Sequence, residues 1–417
     1  MSYRSIPAAI LTIAVFVFTP LRVFGSAYKV LYNFNAKNSA PSSGLVTDAA
    51  GNAYGATYKG GNHDSGTVYE ISPTTGFHTI FRFSRNGNGG RQPMGNLVLD
   101  AAGNLYGTTF YGGASNLCGG CGGTVFELTP SNDGGLWKEI VLYSFCSLAD
   151  CTDGAGPMAG VIFDALGNLY GTTQMGGPNI GGTVFKLSPS PSGWTESVLH
   201  GFSGSNDGAN PFGKLIFDST GNLYGTTTGG GISGSGGIVF ELSPQGDVWD
   251  ETILYSFNPN DDDGYSPKAG VTFDSAGNLY GTTYLGGEFE LGTVFELSPG
   301  AGGIWSEQIL HSFRGVGEDG PIDGSSPQSN IIIDAEGNLY GTTLYGGCLG
   351  DACGSVFEVF KTPRRRLVKG RLFGFPVGGA LGAQPTGYLT FDNAGNIYGT
   401  TMVGGKNNDG VVFRITP

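Results

Sequence analysis

The chain has 417 residues, 76 of them glycine, and only 13% are charged. Its net charge of −13, with no basic stripe, argues against nucleic acid as a partner. Glycine without a three-residue period excludes collagen, and 39% apolar residues in regular short runs exclude a disordered chain.

Residues 1–27 differ from the rest. Arg4 precedes an apolar run from Ala8 to Phe18, and Gly25, Ser26 and Ala27 offer small residues for cleavage. This reads as a secretory signal peptide, so the mature chain is expected to begin near Tyr28, in a secreted or periplasmic setting. The run is short for a membrane span, Pro20 and Arg22 interrupt it, and no second such segment follows. No membrane span is expected in the mature chain.

Next comes Tyr28–Phe34, a β-branched and aromatic stretch that reads as a strand. After it a block recurs seven times, with its Gly-Asn pair at Gly51, Gly103, Gly167, Gly221, Gly277, Gly337 and Gly395. Repeats of this kind cannot bury their faces singly and must share one core. Each block holds an apolar run ending in Asp (strand A), the turn Asp-x-x-Gly-Asn, and Leu-Tyr-Gly-Thr-Thr (strand B). Gly-Gly, Gly-Thr-Val-Phe-Glu-Leu (strand C) and Leu-Tyr-Ser-Phe (strand D) then follow. The recurring Asp48, Asp100, Asp164, Asp218, Asp274, Asp334 and Asp392 read as turn caps. Glu127, Glu241, Glu296 and Glu358 on strand C share their slot with Lys186 and Arg414, which reads as a solvated face.

The order of pieces fixes the architecture. The mature chain opens with a lone strand D and closes with A, B and C at Tyr388–Thr416. Joining them completes seven four-stranded units and leaves no open sheet edge. The predicted fold is all-β: one seven-bladed β-propeller over residues 28–417, closed by the N-terminal strand, with a monomer expected. In such a meander the B–C and D–A loops share one face. These are the loops that vary, and every D–A loop carries a proline, from Pro41 to Pro385.

The repeated block, Asp-x-x-Gly-Asn-Leu-Tyr-Gly-Thr-Thr, then Gly-Gly, then Gly-Thr-Val-Phe-Glu-Leu-Ser-Pro, resembles the GloVer (Gloeo/Verruco) tandem repeat of bacterial exported proteins. The resemblance spans nearly all of residues 28–417. It implies bacterial export and a repeat domain with varied anchoring devices, and it implies no established activity.

Six cysteines in an exported chain point to disulfides. Local bridges are expected at Cys118–Cys121, Cys146–Cys151 and Cys348–Cys353, although Cys118 or Cys121 could instead pair with Cys146 or Cys151. His200 and His311 take the strand D place of Tyr143 and Tyr255 and read as packing substitutions. The basic cluster Arg364, Arg365, Arg366, Lys369 and Arg371 reads as a solvated loop. No nucleophile elbow, Walker loop or zinc set appears.

One constellation stands out. Four consecutive D–A loops read Asp-Gly-x-x-Pro, at Asp153, Asp207, Asp263 and Asp323. Beside these, Tyr111, Tyr284 and Tyr345 supply aromatic faces that suit sugar rings. The expected function is a non-catalytic binding module for an extracellular glycan or protein. The alternative is a propeller enzyme, a glycoside hydrolase or lyase, using these carboxylates. No cofactor is expected. The acidic arc could hold a cation such as calcium, but no Asp-x-Asp-x-Asp-Gly loop is present.

Overall fold

The computed structural model describes residues 26–85, 88–114, 122–131, 134–246, 248–315, 323–348, 353–361 and 367–417. The expected leader at 1–27 falls almost wholly outside these residues, and Cys118 and Cys121 lie outside them too. Among the described residues there are strands and three 3₁₀ turns, and no α-helix. Seven antiparallel blade sheets follow the repeats, and a short two-stranded sheet pairs Gly264–Tyr265 with Leu285–Gly286. Blade 1 comprises Val46–Thr47 (A), Ala53–Gly60 (B), Thr67–Ser72 (C) and Gly76–Arg82 (D). Strands D of blades 2 to 6 are Lys138–Ser144, Gly193–Gly201, Val248–Ser256, Trp305–Ser312 and Leu367–Gly374. Blade 7 takes its strand D from Ala27–Asn33, antiparallel to Val411–Thr416.

The A–B turn explains the most repeated motif. In blade 5, Asp274 Oδ1 accepts the amide N–H groups of Ala276 and Asn278 at 2.8 and 2.9 Å. Its Oδ2 accepts from the Asn278 amide and the Tyr280 hydroxyl at 2.9 and 3.2 Å. Gly277 takes φ +88°, a left-handed value that a side chain resists. All seven turns repeat this network, so Asp, Gly, Asn and Tyr are four parts of one device. Against the opposing cost of burial, the hydrogen bonds to the ionised form hold Asp48, Asp100, Asp164, Asp218, Asp274 and Asp392 below the usual carboxylate range.

Each blade is locked to the next in three ways. First, the strand D phenylalanine of one blade meets the strand C aromatic of the next: Phe83–Phe126, Phe202–Phe240 and Phe313–Phe357 have centroids 5.2 Å apart. The strand B glycine faces that strand C ring, and a Cβ at Gly281 would stand 2.5 Å from Phe295. Second, the residue before each D–A proline has positive φ, 53° at Ala40 and 57° at Ser266. Its N–H thereby turns back to the preceding blade, as Ser266 N–H does to Gly236 O at 2.7 Å. Third, the proline ring lies against the glycine that starts the preceding strand C.

The same three contacts join blade 7 to blade 1. Phe34 meets Tyr69 at 5.1 Å, Ala40 N–H reaches Asp409 O at 3.1 Å, and Pro41 faces Gly410. The ring therefore closes with the contacts it uses everywhere else.

Candidate functional site

The D–A proline has a further consequence. With its φ fixed, it sends the following residue toward the propeller axis. Seven blades thus contribute Ser42, Met94, Met158, Phe212, Lys268, Gln328 and Thr386 to one cavity of about 230 Å³. Asn96, Tyr388 and Met402 also line it. It lies on the face of the D–A and B–C loops.

Two positions further along each strand A, a tighter ring forms the floor. It holds Gly44, Asn96, Gly160, Lys214, Gly270, Asn330 and Tyr388. Large and small residues alternate there, and the backbones approach closely. A Cβ at Gly44 would collide with Tyr388 O, and one at Gly160 with Asn96 O. Asn96 Oδ1 accepts from Gly44 N–H at 2.7 Å, and Asn330 Oδ1 from Gly270 N–H at 3.2 Å. The pocket is therefore a cup with a packed base.

The cup sets the apolar side chains of Met94, Met158, Phe212 and Met402 beside several polar groups. Lys268 Nζ sits 3.4 Å from the centre of the Tyr284 ring, a cation–π contact. Among the described residues no carboxylate pairs with it. Burial lowers the pKa of Lys268, and it does the same to Lys214 in the floor. Thr386 Oγ1 is buried without a hydrogen-bond partner. Burial pushes the Tyr388 hydroxyl up to about 12, partly offset by a hydrogen bond with the Lys214 backbone.

Of the three tyrosines singled out in the sequence, Tyr284 lies against the cup. Burial raises its pKa, as does the neighbouring Tyr345 phenol, while a hydrogen bond with Ser326 lowers it. Tyr284 and Tyr345 are thus neighbours on blades 5 and 6. Tyr111 stands apart on blade 2, with the Arg91 guanidinium 5.6 Å from its ring.

The four aspartates sit farther out, in four separate niches between adjacent strands D. Each carboxylate organises its own loop. Asp153 accepts from Tyr143 Oη at 2.9 Å, Ser147 N–H at 2.9 Å and Ser147 Oγ at 2.8 Å, and is fully buried. Asp263 accepts from Tyr255 Oη and Asn258 N–H, both at 3.0 Å. Asp207 accepts from Ser203 N–H at 3.0 Å and from the Ser203 hydroxyl. Asp323 bonds His311 Nε2 at 2.9 Å, accepts from Arg314 N–H at 3.2 Å, and takes an ion pair from Lys369.

Sequence reasoning missed the other half of these niches. Four residues before the strand D tyrosine, histidine or phenylalanine of the next blade stands Glu196, Glu251, Glu307 or Lys369. Burial, reinforced by the facing Asp153 or Asp263, raises Glu196 and Glu307 to about 7. Burial and Asp207 raise Glu251 to about 8. One Oε1 on each of these glutamates is buried without a partner. The recurrent Glu on strand D was the available signal, but its partner comes from another repeat.

Three readings of charged residues need correction. Lys369 is not on a solvated loop: it lies on strand D with its ammonium buried against Asp323. Arg364, Arg365 and Arg366 lie outside the described residues. Glu358 is only 3% exposed and accepts from Tyr340 Oη at 2.9 Å, so that strand C slot is not always solvated. His200 and His311 do pack edge-on against Phe202 and Phe313, but both also face a niche carboxylate.

Two disulfides are present among the described residues, Cys146–Cys151 and Cys348–Cys353. Among those residues no helix is long and apolar enough to cross a membrane. A larger cavity, about 680 Å³, opens at the A–B turns of blades 6 and 7. Several of its polar groups are already bonded to one another, such as Asp334 with Tyr340.

Fold and site together define a seven-bladed repeat propeller with a small axial cup on its variable-loop face. The chain belongs to the Gloeobacter/Verrucomicrobia repeat family, whose repeat matches residues 14–238, 119–322 and 233–417. No curated protein matches it. Among solved structures it is similar to the extracellular domain of a putative hybrid two-component system from B. thetaiotaomicron, with 14% identity and TM-score 0.54. That match covers 94% of this chain and 41% of the other. It is also similar to PorZ, a bacterial surface component of the type-IX secretion system of Porphyromonas gingivalis. Identity there is 16% and TM-score 0.53, over 92% of this chain and 47% of PorZ. The chain thus spans less than half the length of these two relatives. A glucose dehydrogenase from Thermus thermophilus matches at 16% identity and TM-score 0.47, over 94% of this chain and all of that one. At these identities the likeness concerns the fold alone.

Proposed function

We propose that this chain is an exported, non-catalytic binding module that holds a small organic anion in the axial cup. The carrying observation is Lys268: a half-buried ammonium, unpaired by any described carboxylate, in a protein of net charge −13. A buried charge without a counter-ion is costly, and a ligand carboxylate would offset that cost. Met94, Met158 and Phe212 offer an apolar wall for the ligand's body, while Gln328, Ser42 and the orphan Thr386 hydroxyl can fix its orientation. At about 230 Å³ the cup suits a single ring, such as an acidic monosaccharide or another small carboxylic acid. Export is supported by the two disulfides, since such bridges persist in oxidising compartments.

The test is a thermal-shift and calorimetric comparison of acidic sugars and small carboxylic acids with their neutral amide counterparts. The acids should bind and the amides should not. Lys268→Met should weaken the best acid at least tenfold, about 1.4 kcal/mol, while leaving the melting temperature within a few degrees. Equal affinity of acid and amide, or of parent and Lys268→Met, would remove the basis of the assignment.

A further inference from the structure

The niche between blades 3 and 4 differs from its siblings in a way that calls for an ion. Among the described residues, His200, Asp207 and Glu251 form a group of donor atoms that all lie within 4.8 Å of one another. His200 Nε2 stands 3.8 Å from Asp207 Oδ2 and 3.7 Å from Glu251 Oε1, too far for hydrogen bonds. Both His200 Nε2 and Glu251 Oε1 are buried without a partner. In the sibling niches the equivalent group bonds its aspartate directly: Tyr143 at 2.9 Å, Tyr255 at 3.0 Å and His311 at 2.9 Å. Of these four niches, the His200 niche alone is held open.

The His311 niche shows what fills such a space. There the position of Glu251 is taken by Lys369, whose ammonium pairs with Asp323. The fold therefore places a cation at this point when the chain supplies one. In the His200 niche the chain supplies a second carboxyl instead.

We propose that His200 Nε2, Asp207 Oδ2 and Glu251 Oε1 bind a divalent first-row transition ion of the zinc type between blades 3 and 4. One imidazole and two carboxylates suit zinc, whereas calcium takes oxygen donors throughout. Donors bonded at ~2.1 Å around a tetrahedral centre stand roughly 3.4 Å apart. The observed 3.7 and 3.8 Å require only a slight contraction. Water would complete the coordination, because the side chains of His200 and Asp207 keep 18% and 24% of their exposure. The ion would tie strand D of blade 3 to strand D of blade 4. This site is independent of the axial cup.

The experiment uses the mature chain, stripped with a chelator and titrated with Zn²⁺ by calorimetry, with Co²⁺ as a spectroscopic probe. The expected result is zinc binding that weakens at least tenfold in His200→Tyr and in Glu251→Gln, and not in His311→Tyr. His200→Tyr installs the residue of two sibling niches, so folding should be retained. Glu251→Lys recreates the blade 6 arrangement; it should abolish zinc binding and melt no lower than the metal-free parent. Four results would overturn the proposal: no zinc binding at millimolar concentration, unchanged affinity in His200→Tyr, calcium competing as well as zinc, or a thiolate-to-cobalt charge-transfer band, which would place the ion on cysteine.

Discussion

Phe34→Ala tests ring closure at one side chain. Phe34 is fully buried and directly follows the N-terminal strand, yet its ring contacts blade 1. It meets Tyr69 at 5.1 Å and Phe77 at 5.8 Å, both edge-on. Removing a buried phenylalanine costs roughly 3–5 kcal/mol, and each edge-to-face pair lost adds about 0.5–1.5 kcal/mol. The ordered chain of about 390 residues has an unfolding entropy near 0.8 kcal/mol/K, so a loss of about 6 kcal/mol lowers the melting temperature by roughly 7 °C. The control is Phe202→Ala, the same contact between blades 3 and 4, where the chain is continuous. Scanning calorimetry of both variants should give similar shifts. If Phe202→Ala falls by several degrees and Phe34→Ala melts with the parent, the N-terminal strand does not close the ring.

Three other predictions concern the carboxyl groups. Glu139, Glu196 and Glu307 have folded pKa values raised to about 7 and Glu251 to about 8, chiefly by burial. The folded state thus holds protons that the unfolded state releases, and their contribution is complete below about 4.5 and lost as pH rises through 7–8. Asp48, Asp100, Asp164, Asp218, Asp274 and Asp392 in the turns, and Asp323, which is lowered to about 2, act oppositely and lose their contribution as pH falls below about 4. Melting temperature of chelated protein should therefore peak near pH 4–5 and decline toward pH 8, and the double variant Glu196→Gln with Glu307→Gln should flatten that decline. A flat parent profile would refute the assignment. Asp164→Ala, which deprives two N–H groups, an amide and a phenol of their acceptor, should cost about 1–2 kcal/mol in denaturant unfolding. Lys369→Ala should cost roughly 3 kcal/mol by stranding Asp323, and adding Asp323→Asn should recover part of it; strict additivity would contradict a direct pair.

The sequence made the scaffold legible because each structural device reuses the same residues in every repeat. The turn Asp, the strand B glycine and the D–A proline recur seven times, and the lone N-terminal strand D signalled closure. The candidate site was harder to read for the opposite reason. The residue after the proline is Ser, Met, Met, Phe, Lys, Gln or Thr, so only its position is shared. Nothing in composition marks Ser42 and Lys268 as facing one cavity until the ring is closed. The aspartates were visible as a motif, but their partners Glu196, Glu251, Glu307 and Lys369 arrive from the following blade. Residue type alone could not tell a packed His311 from an unsatisfied His200, since that difference lies in the side chain across the blade interface.

The axial cup carries the proposed binding function, and diffraction from crystals of the protein soaked with the tightest-binding organic acid tests it. The predicted result is ligand density on the propeller axis, its carboxylate within hydrogen-bond distance of Lys268 Nζ and its body against Met94, Met158 and Phe212. Density confined to the inter-blade niches or to the A–B turn face, with the cup unchanged, would contradict it.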